Sequence, residues 1–427
     1  MRITEMHITP IALGDPPLLN AAGLHAPYCL RTVVELVADN GFRGLAEVPG
    51  SVGVDAALAD ARTAVIGANP LNWHALGAKL GERCSPESSL ARGDRPWDGR
   101  TRIQVFSALD VACLDLQGRA CGQSVATLLG GVVRDRVPFS AYLFYKYEGA
   151  GGELGFGSDP KAAGWAAARQ KAALNPDGIV EQARSMIAEF GFQSIKLKGG
   201  CFAPDQEVAA VKALHKAFPG FPLRYDPNAV WTVETSIKWG REMEGVLEYL
   251  EDPCRTQEGM ATVRKALKTP LATNMCTTSF AELPGSVRTG SEDIILTDHH
   301  YWGGLRASME LASHCRTFGQ GVSMHSNNHA GISLAAMTHL GAAMPNLTYA
   351  LDTHYPWQWE EIIVGGRMKF DDGCVTLPKG PGLGIELDRA ALKRAHESYL
   401  RCGLNERDDE PEMQKKVPGW KFQQTRW

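Results

Sequence analysis

The run FQSIKLKGG carries Lys196 and Lys198 two residues apart in a short apolar segment that ends in glycines. Alternate residues of a strand share a face, so both ammonium groups should project the same way. Beside a cation and beside each other, such lysines should have pKa values lowered toward neutrality. One could then act as a general base while its charged neighbour stabilises an anion. The competing structural reading is a pair of ion bridges to Asp226 and Glu251.

Other short apolar runs end in residues of equal interest. Asp226, Glu251 and Asn274 close three successive runs and offer only oxygen donors, a set that selects Mg2+ over zinc and leaves sites open for water or substrate. Glu258, seven residues beyond Glu251, competes for the second ligand position; Glu251 is preferred because it ends a predicted strand. His325 and Asp298 end two neighbouring runs, and together they would form a dyad in which the carboxylate fixes the imidazole tautomer and favours imidazolium. His325 and His329 also have i, i+4 spacing in HSNNH, but no H-E-x-x-H glutamate supports a zinc site. A ligand-facing His325 with a packing or capping His329 is expected instead.

The elements that would carry these residues follow a pattern. From Val137 onward the apolar runs VPFSAYLFY, SIKLK, PLRYD, VLEYLE, PLATN, DIILTD, GVSMH and LTYALD recur, most of them separated by helix-length segments such as PDGIVEQARSMIAEFG. Eight strands alternating with helices predict an α/β chain with a (β/α)8-type barrel, in which chemistry gathers at the C-terminal strand ends. Asp352 and His354 lie just past the eighth run. The first 135 residues read as an α+β module: CLRTVVELVADNGFRGLAEVPG alternates around an Asn-Gly turn, and SALDVACLDLQGRACGQSVATLLGG has helical periodicity. The expected division is 1–135 for this module, 136–384 for the barrel and 385–427 for a segment that returns to the cap. GAGGELGFG lacks the spacing of a phosphate cradle and reads as a mobile loop.

Composition excludes several classes. A net charge of -4 gives no case for nucleic acid or an anionic membrane. No stretch approaches the roughly 20 apolar residues of a membrane span. The ten cysteines are scattered, with no C-x-x-C pair, so a reduced cytoplasmic protein is expected.

The ordered series NAAGLHAPY, FQSIKLKGG, YDPNAVW, LEDPC, ATNMC, TDHHYW, HSNNHAGISLA, LDTHYPW, PGLGIELD and RDDEPEMQKKVPGW resembles the enolase superfamily, and within it the glucarate dehydratase family of acid-sugar dehydratases. The resemblance implies an α+β capping domain, built from both termini, over the barrel. It also implies Mg2+ on Asp226, Glu251 and Asn274, Lys198 as base on one face, Lys196 as its electrostatic partner, and His325 paired with Asp298 on the other face. Asn228 would assist substrate binding or position the leaving group. Asn20, His25, Thr101, Tyr142, Ser326, His354 and Arg407 are the implied contacts to a small diacid sugar, with Arg407 clamping its distal carboxylate. Ala330 and Gly331, where the family has a bulkier aromatic-acidic pair, and the segment from Lys146 to Asn175 depart from the pattern. They bear on which acid sugar is the substrate more than on the chemistry. The alternatives are an epimerase, racemase or dehydratase of a different acid sugar, and a non-catalytic sugar-acid-binding homologue; a homo-oligomer is possible and the oligomeric state stays open.

Overall fold

The computed structural model describes residues 1–83, 100–152 and 154–427; Cys84 and Glu153, which the sequence reading includes, lie outside them. Strands β1 (Ile3–Gly14), β2 (Tyr28–Ala38) and β3 (Arg43–Pro49) form an antiparallel sheet in chain order. The β2–β3 turn forms at Asn40–Gly41, where Gly41 takes a φ of +83° that glycine adopts without steric cost. Helices α1 (Val52–Val65), α2 (Trp73–Arg83) and α3 (Thr101–Cys121) follow. α3 buries most of its residues and packs on β3. The approach is tight at Gly44, where a Cβ would overlap the Ala112 carbonyl and lie 2.7 Å from Leu116 Cγ.

The parallel sheet runs in chain order through β4 (Ala141–Phe144), β5 (Ile195–Lys198), β6 (Leu223–Asp226), β7 (Tyr249–Glu251), β8 (Leu271–Thr273), β9 (Ile294–Thr297) and β10 (Gly321–Met324). Its strands are buried almost throughout, as sheets covered on both faces require. Returning helices include α4 (Pro176–Phe190), α5 (Pro204–Ala217), α6 (Val233–Glu242), α7 (Gln257–Ala266), α8 (Leu283–Thr289), α9 (Leu305–Phe318) and α10 (Gly331–Ala343). α4 shows the local logic: the Asn175 side chain accepts from Gly178 N at 2.9 Å, Pro176 begins the helix, and Gly191 ends it in a left-handed conformation.

The eighth run differs from the expectation. LTYALD makes one parallel bridge, between Leu351 and Phe139, in place of a regular strand. Leu351 N donates to Pro138 O at 2.9 Å, Ser140 N donates to Leu351 O at 2.8 Å, and on the other side Asp352 N donates to Met324 O at 3.0 Å. The segment therefore spans from β10 back to the start of β4, while Pro138, having no N–H, cannot lengthen the ladder. The glycine-rich segment also departs from a free loop. Gly149 N donates to Gln170 O at 2.8 Å and Gly152 N to Pro27 O at 2.9 Å, which ties it to the N-terminal module.

Beyond the barrel, α11 (Arg389–Cys402) packs on β1, and α12 (Glu410–Lys416) lies against the loop around Leu24. Arg426 donates through Nη2 to Ala21 O at 2.9 Å and through its backbone N to Val230 O at 2.7 Å, so the tail touches both the N-terminal loop and a barrel loop. All cysteines among the described residues are free thiols, and no described helix is long and apolar enough to cross a membrane.

The Gly44 contact predicts that Gly44→Ala, by forcing α3 from β3, lowers unfolding stability by about 1–3 kcal/mol in denaturant titration.

Candidate active site

The polar strand ends converge. Lys196 and Lys198 point into the barrel mouth from β5, as their spacing requires, and both are buried. Lys196 Nζ lies 2.5 Å from Glu251 Oε2 and 3.9 Å from Asp226 Oδ2, and it donates to Asp352 Oδ2 at 2.6 Å. Its ammonium also sits 4.8 Å from the centre of the Tyr142 ring. Lys198 Nζ donates to Asp226 Oδ2 at 2.6 Å. Asn274, after β8, donates through Nδ2 to Glu251 Oε1 at 2.8 Å. Across the mouth, His325 Nδ1 lies 3.0 Å from Asp298 Oδ2.

The loops holding these groups are unusual in backbone as well as composition. Asn228, Ala229 and Asp252 all have positive φ (61°, 58° and 37°), directly after β6 and β7. Non-glycine residues persist there only when their surroundings over-determine them. Asn228 N donates to Asp226 Oδ1 at 2.8 Å and Ala229 N to Asp252 O at 2.7 Å. Asp252 in turn accepts from Thr273 Oγ1 and from Asn274 N, at 2.5 and 2.8 Å, and so sets the start of the Asn274 loop.

Above this floor lies a cavity of about 40 Å³, lined by Asn20, His25, Tyr142, Lys198, Asn228, His325, Ser326, His354 and Arg407, together with Phe144, Tyr301 and Asn327. A second cavity of about 290 Å³ shares His25, Tyr301, Asn327 and Arg407 with it. Asn20 donates to Asp409 at 2.7 Å, and Arg407 donates to the same carboxylate oxygen at 2.7 Å and to His25 Nε2 at 2.8 Å. His25 Nδ1 lies 2.8 Å from Asp15. The partition between the two cavities is thus a hydrogen-bonded assembly from both chain ends.

The family model for the enolase C-terminal domain-like fold matches residues 178–391. The chain is 45% identical to the probable glucarate dehydratase of Streptomyces coelicolor, over 98% of this chain and 97% of that protein. This chain belongs to the enolase superfamily. A Mycobacterium smegmatis enolase solved with tartrate is 50% identical, with a TM-score of 0.91 and coverage of 100% of this chain and 98% of that one. A Pseudomonas fluorescens enolase solved with magnesium, potassium and tartrate is 46% identical, with a TM-score of 0.91 and coverage of 100% and 99%.

In this enolase-superfamily chain the residues singled out in the sequence differ in their placement. Thr101 begins α3 and does not line either cavity; Gln104, one turn further along the helix, reaches the outer one. Glu258 is exposed in the first turn of α7, whereas Glu251 is fully buried at its strand end. Lys196 shifts opposite to the expected direction. Burial disfavours its charge, but Asp352 and Glu251 hold its pKa well above the ordinary lysine value. His329 is no partner in a zinc pair: its ring nitrogens lie 3.1 Å from Ala330 O and Thr353 Oγ1, and burial lowers its pKa to about 4. The departure at Ala330 and Gly331 lies outside the chamber, where their N–H groups donate to Glu47 and Glu361.

Other residues were missed or underused. Asp352 stood at a strand end without a role, yet it is the hydrogen-bond acceptor of Lys196. Asp409 lies two residues beyond Arg407 in the charged run NERDDE, yet it is buried. Asp298, His299 and His300 place ligand-type atoms within 4.8 Å of one another. Asp298 is already engaged by His300 and His325, and Arg31 Nη2 is 3.1 Å from His300 Nε2, so the cluster is a hydrogen-bonded one with a cation in place.

Asp298 supplies a pH prediction. Burial opposes its charge, but His300 and His325 hold its pKa well below the ordinary 3.8. A depressed carboxylate stabilises the fold fully above its unfolded pKa and loses that contribution as pH falls toward the folded value. The stability difference between wild type and Asp298→Asn, measured by denaturant unfolding, should therefore shrink as pH falls below about 4.

Proposed function

We propose that this chain is a Mg2+-dependent hydro-lyase of hexaric acids such as D-glucarate, removing water from the carbons beside one carboxylate to leave a keto-deoxy diacid. The observation that carries this reading is that Lys198 and His325, two proton-transfer groups at well-separated strand ends, line one chamber. The name of the Streptomyces coelicolor relative and the tartrate in the solved neighbours support a diacid substrate.

Asp226, Glu251 and Asn274 fit the metal. They converge as oxygen donors from adjacent strand ends, and Glu251 Oε2, although close to Lys196, is not aligned to accept a hydrogen bond from it. When bound, Mg2+ would supply positive charge against the substrate carboxylate and so lower the cost of removing the adjacent proton.

The chain's residues perform the remaining work. Lys198 Nζ takes the α-proton on one face, and Lys196, kept charged by Asp352 and Glu251, stabilises the enediolate that results. His325 serves the opposite face, as base for a substrate of the other configuration or as the acid that protonates the departing β-hydroxyl. The α C–H and β C–O bonds break, water leaves, and the enol becomes the ketone. Asn228 lines the chamber with its Oδ1 unpartnered among the described residues, which suits an acceptor for a substrate hydroxyl. Arg407 and His25 would receive the distal carboxylate. The inner chamber of about 40 Å³ holds little more than water, so entry of a six-carbon diacid displaces the Arg407–His25 partition.

Incubating the protein with Mg2+ and stereoisomeric aldaric acids should generate an α-keto acid from glucarate or an epimer, and chelating the metal should stop it. Lys198→Ala and His325→Ala should each abolish turnover while calorimetric diacid affinity stays within several-fold. Unchanged turnover in both variants would sink the assignment. Silence across the diacids would redirect it to monoacid sugars or to a non-catalytic binding protein.

A further inference from the structure

The His325–Asp298 pair does not end at Asp298. Its Oδ1 accepts from His300 N at 2.9 Å and lies 3.0 Å from His300 Nδ1, while Oδ2 faces His325 Nδ1 at 3.0 Å. Both histidines and the aspartate are buried. His300 Nε2 lies 3.1 Å from Arg31 Nη2, 3.0 Å from Ser333 Oγ and 3.1 Å from Glu47 O. Arg31, on β2 of the N-terminal sheet, is fixed by Nε donation to Glu47 Oε1 at 2.8 Å. Glu47, on β3, also accepts from Ala330 N and Ser333 N, at 2.8 and 3.0 Å, at the start of α10.

These contacts fix the ring. An ionised carboxylate only accepts, so His300 Nδ1 carries a proton and donates it to Asp298. Nε2 meets the Arg31 guanidinium, which only donates, the Glu47 carbonyl, which only accepts, and the Ser333 hydroxyl, which does either, and together they hold the ring turned toward Asp298. With both oxygens engaged, the Asp298 carboxylate cannot rotate, and its Oδ2 keeps the His325 proton on Nδ1, which leaves Nε2 as the atom that exchanges a proton with substrate. Lys198 has a different support. Its hydrogen-bonded carboxylate, Asp226, belongs to the barrel strand β6, so this side of the chamber does not depend on a charged residue of the cap sheet.

We propose that His300, oriented by Arg31 from the cap sheet, is a positioning residue for His325, so that proton transfer on the His325 face depends on cap docking while transfer on the Lys198 face does not. This rests on the reading of Lys198 and His325 as opposed bases. It makes the two faces separable: a change in the cap sheet should alter which α-configuration is processed without blocking substrate binding.

The test is α-proton exchange in D2O with Mg2+, followed by NMR on D-glucarate and on its epimer at the reacting carbon, one substrate for each face. His300→Leu should slow exchange on the His325 face by about 10–100-fold, the scale seen when a group orienting a functional histidine is lost. The Lys198-face rate should stay within about twofold, which also reports that the variant is folded. His300→Asn, which keeps an N–H donor for Asp298, should recover most of the lost rate. Arg31→Lys keeps the charge beside Glu47 but loses the forked donor, and should reproduce the face-selective loss if His300→Leu does not fold. Equal losses on both faces, or no loss on the His325 face, would overturn the proposal alone. Wild-type protein that exchanges neither epimer would overturn the functional reading and the proposal with it.

Discussion

A buried charge must be compensated, and this chain gathers Lys196, Lys198, Asp226, Glu251 and Asp352 at one end of its barrel, all nearly without solvent contact. Breaking one buried pair costs about 3–5 kcal/mol, so each partner constrains the others. Lys196 is compensated by carboxylates from two other segments of the barrel, and Lys198 by Asp226 on its neighbouring strand. Arg224 Nη1, 3.9 Å from Asp352 Oδ1, extends the compensation below the mouth. Among the five central groups there are two ammoniums and three carboxyl groups, and burial, with the charges of Asp226 and Asp352, pushes the Glu251 carboxyl well above its ordinary pKa despite the neighbouring Lys196.

The cap completes what the barrel begins. Apolar packing at Gly44 and along α3 holds the N-terminal module together, but its hold on the active site is polar. Asn20, His25, Arg407 and Asp409 join the two chain ends above the chamber, and Arg31 with Glu47 reaches the loop after His325. Hydrogen bonds of fixed direction orient groups in a way that apolar contact does not. They also form the partition between the two cavities, in which the Asp409 carboxylate occupies the Arg407 guanidinium.

Much of this was legible because barrel strands are short and their ends are punctuated. Lys196, Lys198, Asp226, Glu251, Asn274, Asp298 and His325 each terminate or follow an apolar run, and alternating strands and helices bring such positions together. The eighth strand was overread since LTYALD has a strand's composition, while its ladder depends on Pro138, far away in sequence. The direction of the Lys196 shift was missed because sequence spacing shows neighbouring lysines but not the carboxylates folded around them. His300 was hidden in TDHHYW: two adjacent histidines face different surroundings, and the distant Arg31, Glu47 and Ser333 meet the one that supports Asp298.

In the proposed reading, a diacid carbon would lie between two opposed proton-transfer groups over a metal held by three strand ends. A crystal structure of the protein with Mg2+ and tartrate tests it most directly. The expected result is an ion on Asp226, Glu251 and Asn274, with one tartrate carboxylate directed to it and the adjacent carbon between Lys198 Nζ and His325 Nε2. An ion held elsewhere, or tartrate lodged only in the outer cavity with neither group within reach of its α-carbon, would contradict it.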